Sequence, residues 1–69
     1  MTQKELLYVE DAIGHEKNMI AYLQEMKNRV EEKDCVHFVD KELKMHQQIE
    51  NDLGKLLEVK GNEWRKSNE

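Results

Sequence analysis

The residues "EEKDC", 31–35, interrupt an otherwise regular apolar pattern and so decide how this chain folds. On both sides of them, apolar residues recur at spacings of three, four and seven, the period of one helix face. The first stripe consists of Leu6, Val9, Ile13, Ile20, Leu23 and Val30, flanked by Ala12, Met19 and Met26. The second consists of Val36, Val39, Leu43, Leu53 and Leu57, flanked by Phe38, Met45, Ile49 and Leu56. Because a short turn forces its two helices to run antiparallel, the sequence predicts an all-α two-helix hairpin without strands.

The ends of the two helices carry their own sequence signals. Thr2 followed by Glu5 matches a capping box, which predicts that the first helix begins almost at the N-terminus. Asp34 is the expected N-cap of the second helix, and Gly61 fits its C-terminus. We therefore expect a first helix of roughly 28 residues, a slightly shorter second helix, a hairpin domain over residues 1–60, and a C-terminal tail over 61–69.

The composition of the chain limits the classes of protein to which it can belong. The chain has 69 residues, 38% of them charged, a formal net charge of −4, no proline and a single cysteine, Cys35. This composition suits long helices. The negative balance gives no general attraction for nucleic acid or anionic lipid, and one cysteine cannot form an internal disulfide. Since the N-terminus lacks a continuous apolar segment, the expected location is the cytoplasm.

The width of the two stripes predicts self-association. Two helices cannot cover both sides of their own apolar faces, and a chain of this length buries little surface as a monomer. The simplest solution is a homodimer in which two hairpins form a four-helix bundle with two-fold symmetry. A larger helical assembly is the alternative.

Three polar residues interrupt the stripes. On a helical wheel, Glu16 lies near the centre of the first stripe and His46 near the centre of the second, with Glu50 one turn further. Counting outward from the turn places all three at one depth. They could ligate a metal such as iron, manganese or zinc, form a structural hydrogen bond that fixes the helix register, or reach solvent. The sequence favours the structural layer, since a buried carboxylate needs a partner.

Two stretches resemble a known family. "KELLYVEDAIGHEKNMIAYLQEM", residues 4–26, and "MHQQIENDLGKLLEVKGNEW", residues 45–64, look like the CotF-like spore coat proteins of endospore-forming bacteria. The resemblance implies a ferritin-like fold, association with the spore, and partners among coat-type or regulatory proteins besides a second copy.

The resemblance also bears on metal chemistry. In metal-binding ferritin-like proteins the first helix supplies a Glu and the second a Glu-x-x-His motif; Glu16 and His46 match two of these ligands. Residue 43, where the bridging Glu belongs, is Leu43, and Glu42 is rotated from it by about 100° around the helix. The resemblance therefore implies a degenerate metal site at Glu16 and His46, to which the helical wheel adds Glu50, and a non-catalytic structural protein without a cofactor.

Two other functions compete with this prediction. One is a ferritin-like metal-binding protein, or a minimal oxidase, that uses Glu16 and His46. The other is a small signalling regulator similar to the two-helix phosphatases that act on sporulation response regulators. Those proteins carry a Ser-Gln-Glu-Leu-Asp motif on the second helix, of which this chain has Glu42 and Leu43 alone.

Overall fold

The chain folds into two antiparallel helices joined by three residues. The computed structural model describes the backbone of residues 1–68 and the side chains of residues 1–62. Helix α1 spans Gln3–Arg29 and helix α2 spans Lys33–Asn68, with no strand among the described residues. The two helices pack along each other in a molecule of 54 × 14 × 13 Å. The predicted all-α hairpin is confirmed.

The N-terminus of α1 is closed by the predicted capping box. The Thr2 amide donates to Glu5 Oε1 at 2.8 Å, and the Glu5 amide donates to Thr2 Oγ1 at 3.1 Å. The bond from the Thr2 backbone, together with that from its hydroxyl, lowers the pKa of the Glu5 carboxyl. Two of the four amides that a helix leaves unpaired at its start are satisfied in this way.

Removing the capping hydroxyl should destabilise the fold measurably. Thr2→Ala is expected to lower the free energy of unfolding by about 1 kcal/mol, because the Glu5 amide loses its acceptor. Thr2→Ser keeps the hydroxyl and serves as the control. Urea unfolding followed by circular dichroism measures both variants. Equal stability of the alanine and serine variants would show that the cap contributes nothing.

The turn is shorter than predicted, and the second helix begins earlier. α1 ends at Arg29, where the amide of the extended Val30 donates to the Met26 carbonyl at 3.0 Å. The Val36 amide donates to the Glu32 carbonyl at 3.0 Å, so the first turn of α2 starts before Asp34. The prediction of Asp34 as N-cap is therefore wrong. Its carboxylate lies inside the first helical turn, where it still complements the positive end of the helix dipole.

The predicted helix end at Gly61 is also wrong. α2 continues through Gly61 to Asn68 and is 36 residues long, against 27 for α1. No glycine has the positive φ that a left-handed cap requires. Gly61 is instead buried, and a Cβ placed on it would lie 3.6 Å from Leu6 Cδ1. Such a Cβ would be in ordinary van der Waals contact with Leu6. Residues 61–68 of the predicted tail are helical.

The core lies in the half of the hairpin nearer the turn. Leu23, Val39 and Leu43 are the buried hydrophobic side chains among residues 1–62. Three partly buried side chains pack against them: Ile20, Met26 and Val30. This is a small core, and its size determines how strongly the hairpin depends on additional burial.

Candidate functional site

The helices bring Glu16 and His46 into direct contact. His46 Nδ1 and Glu16 Oε2 are 2.6 Å apart, and the two side chains are 21% and 18% exposed. With Nδ1 protonated, the ring donates to the carboxylate. When both ring nitrogens carry protons, the contact becomes an ion pair. The predicted convergence of these two residues between the helices is confirmed.

Glu50 does not complete a three-ligand group with them. It is partly buried, one turn beyond His46, but residues 1–62 contain no cluster of three or more His, Cys, Asp or Glu side chains suited to hold a metal ion. His15, His37 and Cys35 are exposed. A metal site at Glu16, His46 and Glu50 therefore stays a prediction that would need ligands from another copy.

Residue 43, where a bridging Glu would be expected, is part of the hydrophobic core. Leu43, three residues before His46, is one of the buried core side chains and is 9% exposed. A dinuclear carboxylate centre draws on about four Glu and two His, whereas one chain contributes the Glu16–His46 pair. This donor set does not fit such a centre.

A second polar contact joins the helices nearer the turn. Lys27 Nζ lies 2.8 Å from Asp40 Oδ1, with the side chains 49% and 38% exposed. The hydrogen bond from the Lys27 ammonium lowers the pKa of the Asp40 carboxyl. Sequence analysis did not predict this contact. Asp40 directly follows Val39, a residue of the second apolar stripe. This position at the edge of the stripe was the available signal that Asp40 could contact the first helix.

Large apolar side chains remain exposed on both helices. Seven of them, with exposures between 39% and 64%, are Tyr8, Met19, Tyr22, Phe38, Met45, Leu56 and Val59. Successive helical residues are rotated by about 100°. Viewed from its own N-terminus, each helix presents these residues on the counter-clockwise side of its contact stripe. Because the two helices run antiparallel, the exposed apolar residues of α1 and those of α2 face the same side of the hairpin.

We call these seven residues the apolar side. The opposite side carries polar residues at the matching positions: Glu10, Lys17 and Gln24 on α1, and Asp40, Gln47 and Asn51 on α2. The hairpin is therefore amphipathic as a whole and not only helix by helix. An apolar area of this extent on one side of a small protein marks a site of interaction.

Other kinds of site find little support in the geometry. The described part of the hairpin contains no pocket. Within the same residues, neither helix combines the length and apolar character needed to span a membrane. The features left to explain are the Glu16–His46 pair between the helices and the apolar side.

Comparison of the chain with protein-family models, with curated proteins and with solved structures gives no match. The resemblance to spore coat proteins therefore stays a prediction.

Proposed function

We propose that this chain is a non-catalytic helical self-association module, of the structural kind that the spore coat resemblance implies. A second copy covers the apolar side and completes a four-helix bundle. The observation that carries the proposal is the one-sided placement of seven large exposed apolar residues. Their burial would add to a core that contains only three buried hydrophobic side chains among residues 1–62.

The exposed surface has the right size for this role. The chain exposes 5591 Å². A compact monomer of 8.3 kDa would expose about 4,600 Å². The excess of about 1,000 Å² is comparable with the roughly 800 Å² that each partner buries in a standard interface. Covering the apolar side would bring the exposed area close to that of a compact protein.

The polar pair also supports a structural role. Glu16 and His46 satisfy one another across the helix interface at 2.6 Å, as paired polar residues do when they fix helix register. Leu43, three residues before His46 on α2, packs in the core with Leu23 and Val39. The coat-like role further predicts that the assembled dimer presents its polar sides to other coat-type proteins.

The apolar side should determine the oligomeric state. At about 50 μM, multi-angle light scattering should give twice the chain mass of 8.3 kDa. Met45→Glu is expected to reduce the mass to that of a monomer, because it places a charge at the centre of the buried surface.

Leu7→Glu is the matched control. Leu7 is 52% exposed and Met45 is 47% exposed, but Leu7 points away from the apolar side. The Leu7 variant should remain dimeric. A parent protein that stays monomeric and fully helical at this concentration would refute the proposed function.

A further inference from the structure

The second copy can cover the apolar side in two symmetric ways. If the two-fold axis runs parallel to the helices, both turns lie at the same end and α1 of each copy packs on α2 of the other. If the axis runs across the helices, the turns lie at opposite ends and each helix packs on its own counterpart. We propose the first arrangement, an inference that rests on the self-association argued above.

The register of this arrangement is fixed by symmetry. An axis parallel to the helices leaves every residue at its original height, so the contacts within one chain show which residues face each other between chains. Within the chain, Lys27 contacts Asp40 and Gly61 lies beside Leu6, and these two contacts share one register; the Glu16–His46 contact is offset from it by five residues. Continuing the shared register along the helices places Glu25 within one residue of the level of Lys41, and Asp11 within one residue of the level of Lys55.

These levels bring opposite charges together along the edge of the interface. On α1 the edge column beside the apolar side contains Lys4, Asp11, Asn18 and Glu25; on α2 it contains Lys41, Gln48, Lys55 and Asn62. Glu25 faces the partner's Lys41, and Asp11 faces the partner's Lys55. The two amides between them, Asn18 and Gln48, also face each other. Symmetry doubles each pair.

The residues nearer the centre of the interface also face partners of the same polar or apolar character. His15 is the polar residue between Tyr8 and Tyr22 on α1, and Asp52 is the polar residue between Met45 and Val59 on α2. The same register sets His15 against the partner's Asp52. It also sets Tyr22 against the partner's Met45, and Tyr8 against the partner's Val59. Polar thus meets polar, and apolar meets apolar.

The opposite arrangement is electrostatically poorer. With the turns at opposite ends, α2 packs on its own counterpart about a midpoint near residue 48. Lys41 of each copy then faces the partner's Lys55, which places two pairs of like charges at the edge. On the register given above, this midpoint is level with residue 19 of α1, so Asp11 comes near the partner's Glu25, which is a further contact between like charges. Charge complementarity favours turns at the same end.

Cys35 allows a direct test of this arrangement. It is the single cysteine of the chain and is exposed near the turn. With a nitroxide label at Cys35, pulsed dipolar spectroscopy on the dimer should give a separation of about 15–25 Å, because diagonal helices of a bundle lie about 14 Å apart. Turns at opposite ends would separate the labels by about 40 Å.

The outcomes separate the two proposals. A long distance in a dimeric sample would overturn the arrangement but leave self-association intact, whereas a monomeric mass for the unlabelled protein would refute both. If the label itself dissociates the dimer, a label at Asn28 in a Cys35→Ser chain replaces it. Asn28 is exposed near the turn and lies away from the apolar side. A distance under about 30 Å between the two labels at Asn28 supports the arrangement.

Reversing the charge of Lys55 gives an independent test, because the two arrangements predict opposite changes in the affinity of the dimer. In the proposed arrangement, Lys55→Glu should raise the dimer dissociation constant about three- to ten-fold, since it faces the partner's Asp11 twice. Adding Asp11→Lys should restore the affinity. With turns at opposite ends, Lys55→Glu would remove repulsion and tighten the dimer. Lys44→Glu makes the same charge change away from the interface and is the control.

Discussion

Replacing Leu43 by alanine is expected to lower the free energy of unfolding by about 2–5 kcal/mol, which is enough to leave the hairpin largely unfolded. Leu43 is 9% exposed and forms the core with Leu23 and Val39. In a larger protein, neighbouring side chains could relax into the space. Here, among residues 1–62, three partly buried hydrophobic residues pack against this core, so most of the lost contact stays lost.

Urea unfolding at a fixed chain concentration measures this effect, because dimerisation makes the apparent stability depend on concentration. Leu7→Ala is the control, since Leu7 is 52% exposed and its truncation should cost under about 0.5 kcal/mol. Leu43→Met, which nearly conserves volume, should cost less than about 1.5 kcal/mol. A loss below about 1 kcal/mol for Leu43→Ala would show that the three-residue core does not hold the hairpin together.

The role of Leu43 also explains why a ferritin-like ligand pattern is incomplete in this chain. A carboxylate at this position would lie among buried apolar side chains, where an unpaired charge is strongly disfavoured. Residue 43 can therefore be either a core side chain or a bridging metal ligand, but not both. This sequence retains the core residue, and the neighbouring Glu16–His46 pair can then act as a polar contact between helices.

The features that sequence analysis predicted correctly depend on short-range or periodic signals. The capping box needs only Thr2 and Glu5, three residues apart. The hairpin follows from apolar spacing on both sides of an interruption. The contact between Glu16 and His46 followed from counting outward from the turn, because two straight helices of equal rise keep their depths aligned.

Three features were missed: the start of α2, the continuation of α2 through Gly61, and the contact between Lys27 and Asp40. Asp34 has the chemistry of an N-cap, but the chain enters the second helix one residue before it. Gly61 has the chemistry of a helix end, yet it lies within α2 and is buried beside Leu6. Asp40 could not be assigned to Lys27 before the rotation of each helix was known. None of these outcomes is encoded within a single turn of helix.

The Glu16–His46 pair should show strong coupling in a double-mutant cycle. His46→Leu alone leaves Glu16 four-fifths buried without its partner, so we expect a loss of about 1–3 kcal/mol. Glu16→Leu alone removes the acceptor of the ring, and a smaller loss is expected. Changing both residues to leucine should recover most of the stability, since well-packed apolar residues often replace a buried polar pair without cost.

The coupling energy of about 1–2 kcal/mol is the quantity to measure, because it cancels the general effect of adding leucine. Gln24→Leu combined with Asn51→Leu adds two leucines at exposed, distant positions and should show no coupling. Additive effects at Glu16 and His46 would mean that the 2.6 Å contact contributes nothing to folding.

The same double variant also tests the metal alternative. If the pair acts structurally, elemental analysis of the purified parent should find no stoichiometric iron, manganese or zinc, and the leucine variant should keep its helices and its dimeric mass. A parent that binds such a metal in a fixed ratio, and loses it with any oxygen- or peroxide-dependent oxidation when both residues become leucine, would overturn the structural role. In that case Glu50 and ligands from the second copy would be the next to test, because residues 1–62 of one chain hold no group of three metal-binding side chains.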